Sequence, residues 1–229
     1  MKNEITYRVW GRNALFTDPV TKIGGEKSSL QIPTPQSIKG VTESVYWKPS
    51  IMWIVDEIRI MKPILMEGKG IRPIGDRGND LARYTYLKDV EYYVRAHFEF
   101  NRNRPDLSQD WNENKHYFIA RRSLKAGGRR DIFLGTRECQ AYVEPVDFDS
   151  GEGAYDDMDM DFGLQYHSIG YPDETGENQM IVRFWYPRME KGRIKCCRPE
   201  ACPKEHVVRK ASMKQFSPEV NFSFAQEVM

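Results

Sequence analysis

The chain has 229 residues, 40% hydrophobic, 12% aromatic and 29% charged, with a formal net charge of +1. That length suits one large domain or two small ones with an ample core. No apolar run approaches the roughly 20 residues that span a bilayer, and the start, MKNEITYRVWG, lacks the unbroken apolar core of a signal peptide. A cytoplasmic protein that touches no membrane is expected.

In chain order, EITYRVW (4–10) alternates, with Ile5, Tyr7 and Val9 on one face, and predicts a first strand. ALFTDPVTKIGGEKSSLQIP is a long irregular connection that carries Lys22 and Lys27 around Gly24-Gly25. Connections of this length inside a domain are usually functional or mobile. Thr34 then caps a helix with Pro35 in its first turn, and Ile38, Val41 and Val45 give it a buried stripe. Tyr46 lies one residue past that stripe, at the helix end, where it can turn toward a neighbouring surface, and Pro49 stops the helix. Residues 51–64 predict a second strand, and 65–80 a basic-leaning loop or hairpin rich in glycine. Residues 86–100 predict a third strand with Val90, Tyr92, Val94, Ala96 and Phe98 on one face. His97 falls on the other face, which suits a sheet-face role better than catalysis.

The stretch NENKHYFIARRSLKAGGRRDIFLG (112–135) reads as a cap, a helix, a glycine turn and a strand. Asn112 caps it, Gly127 and Gly128 end it, and Phe118, Ile119 and Leu124 offer an apolar face. Lys115, Arg121, Arg122, Lys125, Arg129 and Arg130 crowd this stretch. A glycine pair between cations lets backbone amides approach a phosphate with positive charge on both sides. A last strand near 138–144 completes the order β-α-β-β-α-β. The expected fold class is therefore α+β: a ferredoxin-like, RRM-like N-terminal domain over residues 1–146. An acidic linker or loop (147–161) and a small mostly-β C-terminal domain (162–229) follow, the latter with a turn at Asp173–Gly176 and a hairpin about Glu190–Gly192.

Charge is segregated along the chain. Residues 138–182 hold 12 Asp or Glu and no Lys or Arg, which leaves 34 basic and 21 acidic residues elsewhere. A basic face able to meet nucleic acid is thus compatible with a near-zero net charge. The cysteines Cys139, Cys196, Cys197 and Cys202 form no disulfide framework, since two are adjacent and one lies in a strand. Cys197-x4-Cys202-x3-His206 is a possible zinc half-site, but a second ligand pair would need adjacent cysteines, so no metal is expected. No phosphate-binding P-loop or nucleophile elbow is present. Metal-free, cofactor-free general acid–base chemistry on RNA remains, with the ribose 2′-OH as nucleophile. Histidine can move a proton, lysine can neutralise phosphate charge and tyrosine can carry a proton or orient the 2′-OH. Tyr46 with Lys115 and His116 could meet at one edge of such a sheet.

The motifs ALFTDPVTKIGGEK, ESVYWKP, ARYTYLKDV, NKHYFIARRSLKAGGRRDIFLGTRECQ and YPDETG together resemble the crRNA-processing endoribonucleases of the type I-C CRISPR system, a fifth-family RAMP subunit. The resemblance spans nearly the whole chain. It implies metal-independent cleavage at the 3′ base of the repeat hairpin of precursor CRISPR RNA, leaving 5′-hydroxyl and 2′,3′-cyclic phosphate ends. It also implies that the family's tyrosine–lysine–histidine set falls on Tyr46, Lys115 and His116. Arg121, Arg122, Lys125, Gly127, Gly128, Arg129 and Arg130 would hold RNA backbone, with Lys22 and Lys27 as weaker candidates. The implied partners are the repeat hairpin, mature crRNA and the backbone and large subunits of Cascade, with target double-stranded DNA as a further candidate. The competing expectations are a crRNA-binding subunit that does not cut and a zinc-dependent nucleic-acid binder built on the 196–206 run.

Overall fold

The computed structural model describes residues 3–19, 21–24, 26–72 and 81–213. Its elements are β1 (Glu4–Ala14), β2 (Lys27–Ser28), α1 (Pro35–Val45), β3 (Ile51–Ile60), β4 (Leu65–Ile71), β5 (Ala82–Phe100) and α2 (Glu113–Lys125). There follow β6 (Ile132–Phe133), β7 (Gln140–Pro145), β8 (Met160–Asp161), β9 (Gln165–Gly170), α3 (Pro172–Thr175) and β10 (Gln179–Trp185). β11 (Arg188–Glu190), β12 (Arg193–Lys195) and β13 (Lys204–Lys210) complete the described chain. The result is a mixed α and β fold with a mostly antiparallel sheet.

Ten strands form one sheet, in the order β6-β7-β1-β5-β3-β12-β11-β8, with β2 and β4 also paired to β5. A second sheet has the order β13-β10-β9. Alternation decides β1: Ile5, Tyr7 and Val9 are buried against the helices, with Tyr7 bonded to Thr42 of α1 at 2.7 Å. Helix α1 starts where Thr34 accepts from the Ser37 amide at 3.1 Å, and it buries Ile38, Val41 and Val45 as its spacing requires. Asn112 likewise caps α2, accepting from the Lys115 amide at 3.0 Å.

Several expectations change. The buried stripe of α2 is His116, Ala120, Ser123 and Leu124, whereas Phe118 is 47% exposed. β3 stops at Ile60 rather than 64, ahead of Pro63, which has no amide hydrogen to give a ladder. Part of the expected 65–80 loop is β4, paired with the first half of β5, and 73–80 lie outside the described residues. The run QMIVRFWYPRM, which leads into the hairpin expected about Glu190–Gly192, is split by Pro187 into β10 and β11, which join different sheets.

The acidic segment 147–161 is not simply solvated. Phe148 is buried, and the buried guanidinium of Arg59 binds Asp156 at 2.7 Å and the carbonyls of Ser150 and Gly151 at 2.9 Å. A buried arginine demands such partners, and they tie the acidic segment to β3. β12 pairs with β3, so strands beyond residue 162 extend the sheet of the first 146 residues. His97 stands on the outer face of β5, where its Nδ1 lies 2.8 Å from the Asp56 carboxylate.

Candidate functional site

At one end of the large sheet α1 ends, β3 begins, β5 ends and α2 begins. Ile51 at the start of β3 pairs with Phe100 at the end of β5. This junction gathers Tyr46, Ser50, Phe98, Phe100, Asp110 and His116 from five segments.

Tyr46 and His116 are both fully buried, and the phenol oxygen lies 2.8 Å from His116 Nδ1. His116 Nε2 lies 2.7 Å from the backbone carbonyl of Asp110. A carbonyl only accepts, so Nε2 carries the ring proton and Nδ1 is the bare acceptor of the Tyr46 hydroxyl. The imidazole is thus held in one tautomer, aimed at the phenol. Phe98 and Phe100 face its ring edge-on at 5.9 and 6.2 Å, and Trp53 Nε1 donates to the Tyr46 carbonyl at 2.7 Å.

Asp110 is the hub. Its carboxylate accepts from Lys115 Nζ and from Ser50 Oγ, and one oxygen is 3.5 Å from His116 Nε2. Burial alone would raise this carboxyl's pKa, but the hydrogen bonds from Lys115 and Ser50 outweigh it and the pKa is lowered. The Tyr46 phenol is shifted up, first by burial and then by the Asp110 charge, with Arg129 opposing. Neutral phenol is the resting form, and ionising it requires a base at the hydroxyl. The group within hydrogen-bond reach of that hydroxyl is His116 Nδ1. Lys115, half exposed, presents its ammonium at the mouth of the cluster.

The glycine turn docks on the same helix end. The amides of Arg129 and Arg130 donate to the Ser44 carbonyl at 3.2 and 3.1 Å, and the Arg129 guanidinium lies 5.7 Å from the Tyr46 ring centroid. Gly127 and Gly128 take φ of 83° and 106°, the left-handed region that glycine tolerates, and their amides bond the carbonyls of Leu124 and Ser123. Those amides close the helix and are not left for a phosphate; the exposed side chains of Arg129 and Arg130 are. Arg121 and Lys125 line a separate groove with Glu4, Tyr117 and Asp147, and Arg122 is exposed on the same helix.

Lys27 pairs with Tyr84 near the opposite end of β5, its ammonium 4.9 Å from that ring. Fourteen residues along β5 separate Tyr84 from Phe98, so Lys27 lies far along that strand from the imidazole. Lys22, exposed in the neighbouring 3-10 turn, shares that distant end. These two lysines do not join the cluster. His206 also stands apart, exposed on β13 opposite Val182, away from the cysteines with which its spacing grouped it. Sequence reasoning missed Asp110 and Ser50. The available signal was an acidic residue five positions before Lys115, in DWNENKH.

Against known proteins, a family profile described as CRISPR-associated protein (Cas_Cas5), Cas5d, matches residues 4–197. The chain is 27% identical over 202 residues to the CRISPR pre-crRNA endoribonuclease Cas5d of Mannheimia succiniciproducens, covering 75% of this chain and 87% of that protein. It is 26% identical over 186 residues to the protein of the same name from Thermus thermophilus, covering 77% of each. A solved structure described as a CRISPR-associated protein superposes with a TM-score of 0.74 at 31% identity, over 89% of this chain and 96% of that one.

Proposed function

The chain belongs to the Cas5d family of CRISPR-associated proteins, and we propose that it is a metal-independent endoribonuclease that cuts precursor CRISPR RNA at the 3′ base of the repeat hairpin. One observation carries the reading: the Tyr46 hydroxyl sits 2.8 Å from a His116 nitrogen that the Asp110 carbonyl keeps bare, with Lys115 on the same carboxylate. The ribose 2′-OH attacks the adjacent phosphorus, and the bond from phosphorus to the 5′-oxygen breaks as that oxygen takes a proton from solvent water. Tyr46 takes the 2′-OH proton as it passes its own to His116 Nδ1. The imidazolium that forms is stabilised by the Asp110 carbonyl and carboxylate, in the manner of an acid–histidine pair. Lys115 offsets the charge that grows on the phosphate oxygens. The products are a 2′,3′-cyclic phosphate and a 5′-hydroxyl.

Tyr46 is covered in the free protein, so RNA has to draw Arg129 off the phenol and onto a phosphate. Arg121, Arg122, Lys125 and Arg130 extend this cationic surface, while Gly127 and Gly128 shape its turn. Selectivity then comes from stem shape and a few bases near the cut. The sheet order β7-β1-β5-β3, with α1 and α2 as crossovers, supports a ferredoxin-like N-terminal domain (1–146), joined by 147–161 to a smaller β-rich domain (162–229). The cut crRNA and the backbone and large subunits of Cascade are the partners of this reading, and target DNA a further contact.

The sealed state of Tyr46 and His116 favours one rival, a subunit that grips crRNA without cutting. Labelled repeat RNA incubated with the protein in EDTA separates the two. Cleavage that persists in EDTA and stops with a 2′-deoxy nucleotide at the cut supports the nuclease. Intact RNA in a tight complex supports the gripping subunit.

A further inference from the structure

A second cluster of reactive side chains shares no residue with the Tyr46 cluster. His167, Cys197 and Cys202 bring three potential metal-binding atoms within 4.8 Å of one another. His167 belongs to β9 of the small sheet, Cys197 follows β12 of the large sheet, and Cys202 ends the 3-10 turn Pro199–Ala201 before β13. We propose that these three side chains bind one zinc ion, which fastens the small sheet to the large one.

The geometry suits that ion. Two thiolates at about 2.3 Å from a tetrahedral zinc stand about 3.8 Å apart, and Cys197 Sγ and Cys202 Sγ are 3.8 Å apart. A histidine ligand binds through a ring lone pair, and His167 is buried beside both cysteines. Its Nε2 lies 3.0 Å from the Cys197 carbonyl and its Nδ1 2.8 Å from Ser168 Oγ. For zinc to take Nε2 the Cys197 carbonyl gives up that bond, and the ring proton then sits on Nδ1 and is donated to Ser168 Oγ, the outer hydrogen bond that orients a metal-bound imidazole.

The thiols lose their protons when the ion binds. Zinc takes the place of those protons, so loading strengthens as pH rises. His167 and Cys197 also line a cavity with Arg198 and Glu200, from which water completes the tetrahedron. Cys196 turns its sulfur toward the Ile194 carbonyl and takes no part. The site holds the fold and stands apart from RNA cleavage, so its failure leaves the nuclease reading untouched.

The test uses the full chain, purified without a histidine tag and under a thiol reductant. Bound zinc is measured by elemental mass spectrometry, and the stripped protein is titrated with cobalt(II). Expected are one zinc per chain, a cobalt–thiolate charge-transfer absorption with tetrahedral bands, and a melting temperature that falls when zinc is removed. Cys202→Ser and His167→Gln lose the stoichiometric ion, whereas His206→Gln and Tyr46→Phe keep it. Should those ligand variants fail to fold, the wild-type cobalt spectrum decides alone. A folded chain showing only octahedral cobalt bands overturns the proposal. So does zinc retained by Cys202→Ser, or zinc lost in His206→Gln.

Discussion

The Tyr46–His116 cluster and the arginine turn touch one another but are built in opposite ways. In the cluster, both rings are fully buried and the polar atoms of the pair are committed to partners within 2.8 Å. In the turn, Arg129 and Arg130 are exposed, and only their backbone amides are fixed, on the Ser44 carbonyl. Chemistry depends on angles and distances to a fraction of an ångström, which burial enforces. Affinity for a polyanion depends on the number of cations near it, which exposure permits. The two parts adjoin, because the Arg129 guanidinium lies 5.7 Å from the Tyr46 ring centroid, so in the proposed reading a phosphate that draws Arg129 also acts on the phenol.

The widest separation between the two regions should come from Tyr46→Phe. This change keeps the buried ring and deletes the hydroxyl, so cleavage at saturating RNA should fall about 10²–10⁴-fold with affinity unchanged. Gel-shift and single-turnover measurements on one RNA would check it, and a matched loss of binding would break the comparison. His116→Ala should also abolish cutting, but it hollows the core between Phe98 and Phe100 and should cost about 2–4 kcal/mol of stability. Tyr46→Phe is therefore the cleaner probe.

Lys115→Ala comes next, because its ammonium sits on the chemical side of the boundary while remaining exposed. Turnover should drop about 10–100-fold, and the melting temperature should hardly move. The paired change Arg129→Ala with Arg130→Ala should act on the other side. Affinity should weaken and the slope of log K against log salt should flatten by about 0.7 for each lost contact to single-stranded phosphate. Single-turnover cleavage at saturating RNA should stay within a few-fold of wild type.

A smaller effect concerns acid stability. Asp110 titrates below its ordinary range in the folded protein. Its contribution is therefore present above the unfolded carboxylate pKa and disappears as pH falls through the lowered folded value. Melting curves below about pH 4, the ordinary carboxylate range, should show wild type losing stability faster than Asp110→Asn, and parallel curves would remove Asp110 from its place as hub. The smallest expected change is at Lys27→Ala, where cleavage and the salt slope should both match wild type.

Much of this was legible before any coordinates. The alternation of Ile5, Tyr7 and Val9, the capped stripe of α1 and the glycine stop after α2 each depend on neighbours within a few residues. The two helices and the strands β1, β3, β5 and β7 follow from them, and so does the placement of Tyr46 and His116 at element ends, whereas β2 and β4 add to the expected order. Harder to see were interactions whose partners are backbone atoms or distant strands. Asp110 orients His116 through its carbonyl, and any residue type has one of those. His167 reaches the cysteines from 30 positions upstream, while His206, at the suggestive spacing, points elsewhere because β13 carries it off along the small sheet.

The amino-acid sequence by itself determined the local elements, the cationic turn and the residue types from which a proton-transfer site can be built, because periodicity and capping act over a single turn or strand. Only the tertiary structure decided which of those residues meet. Strand pairing brings the start of β3 beside the end of β5, leaves Lys22 and Lys27 at the far end of the same strand, and seals the imidazole behind the phenol. Such choices follow from long-range register and burial, which no short window of sequence contains.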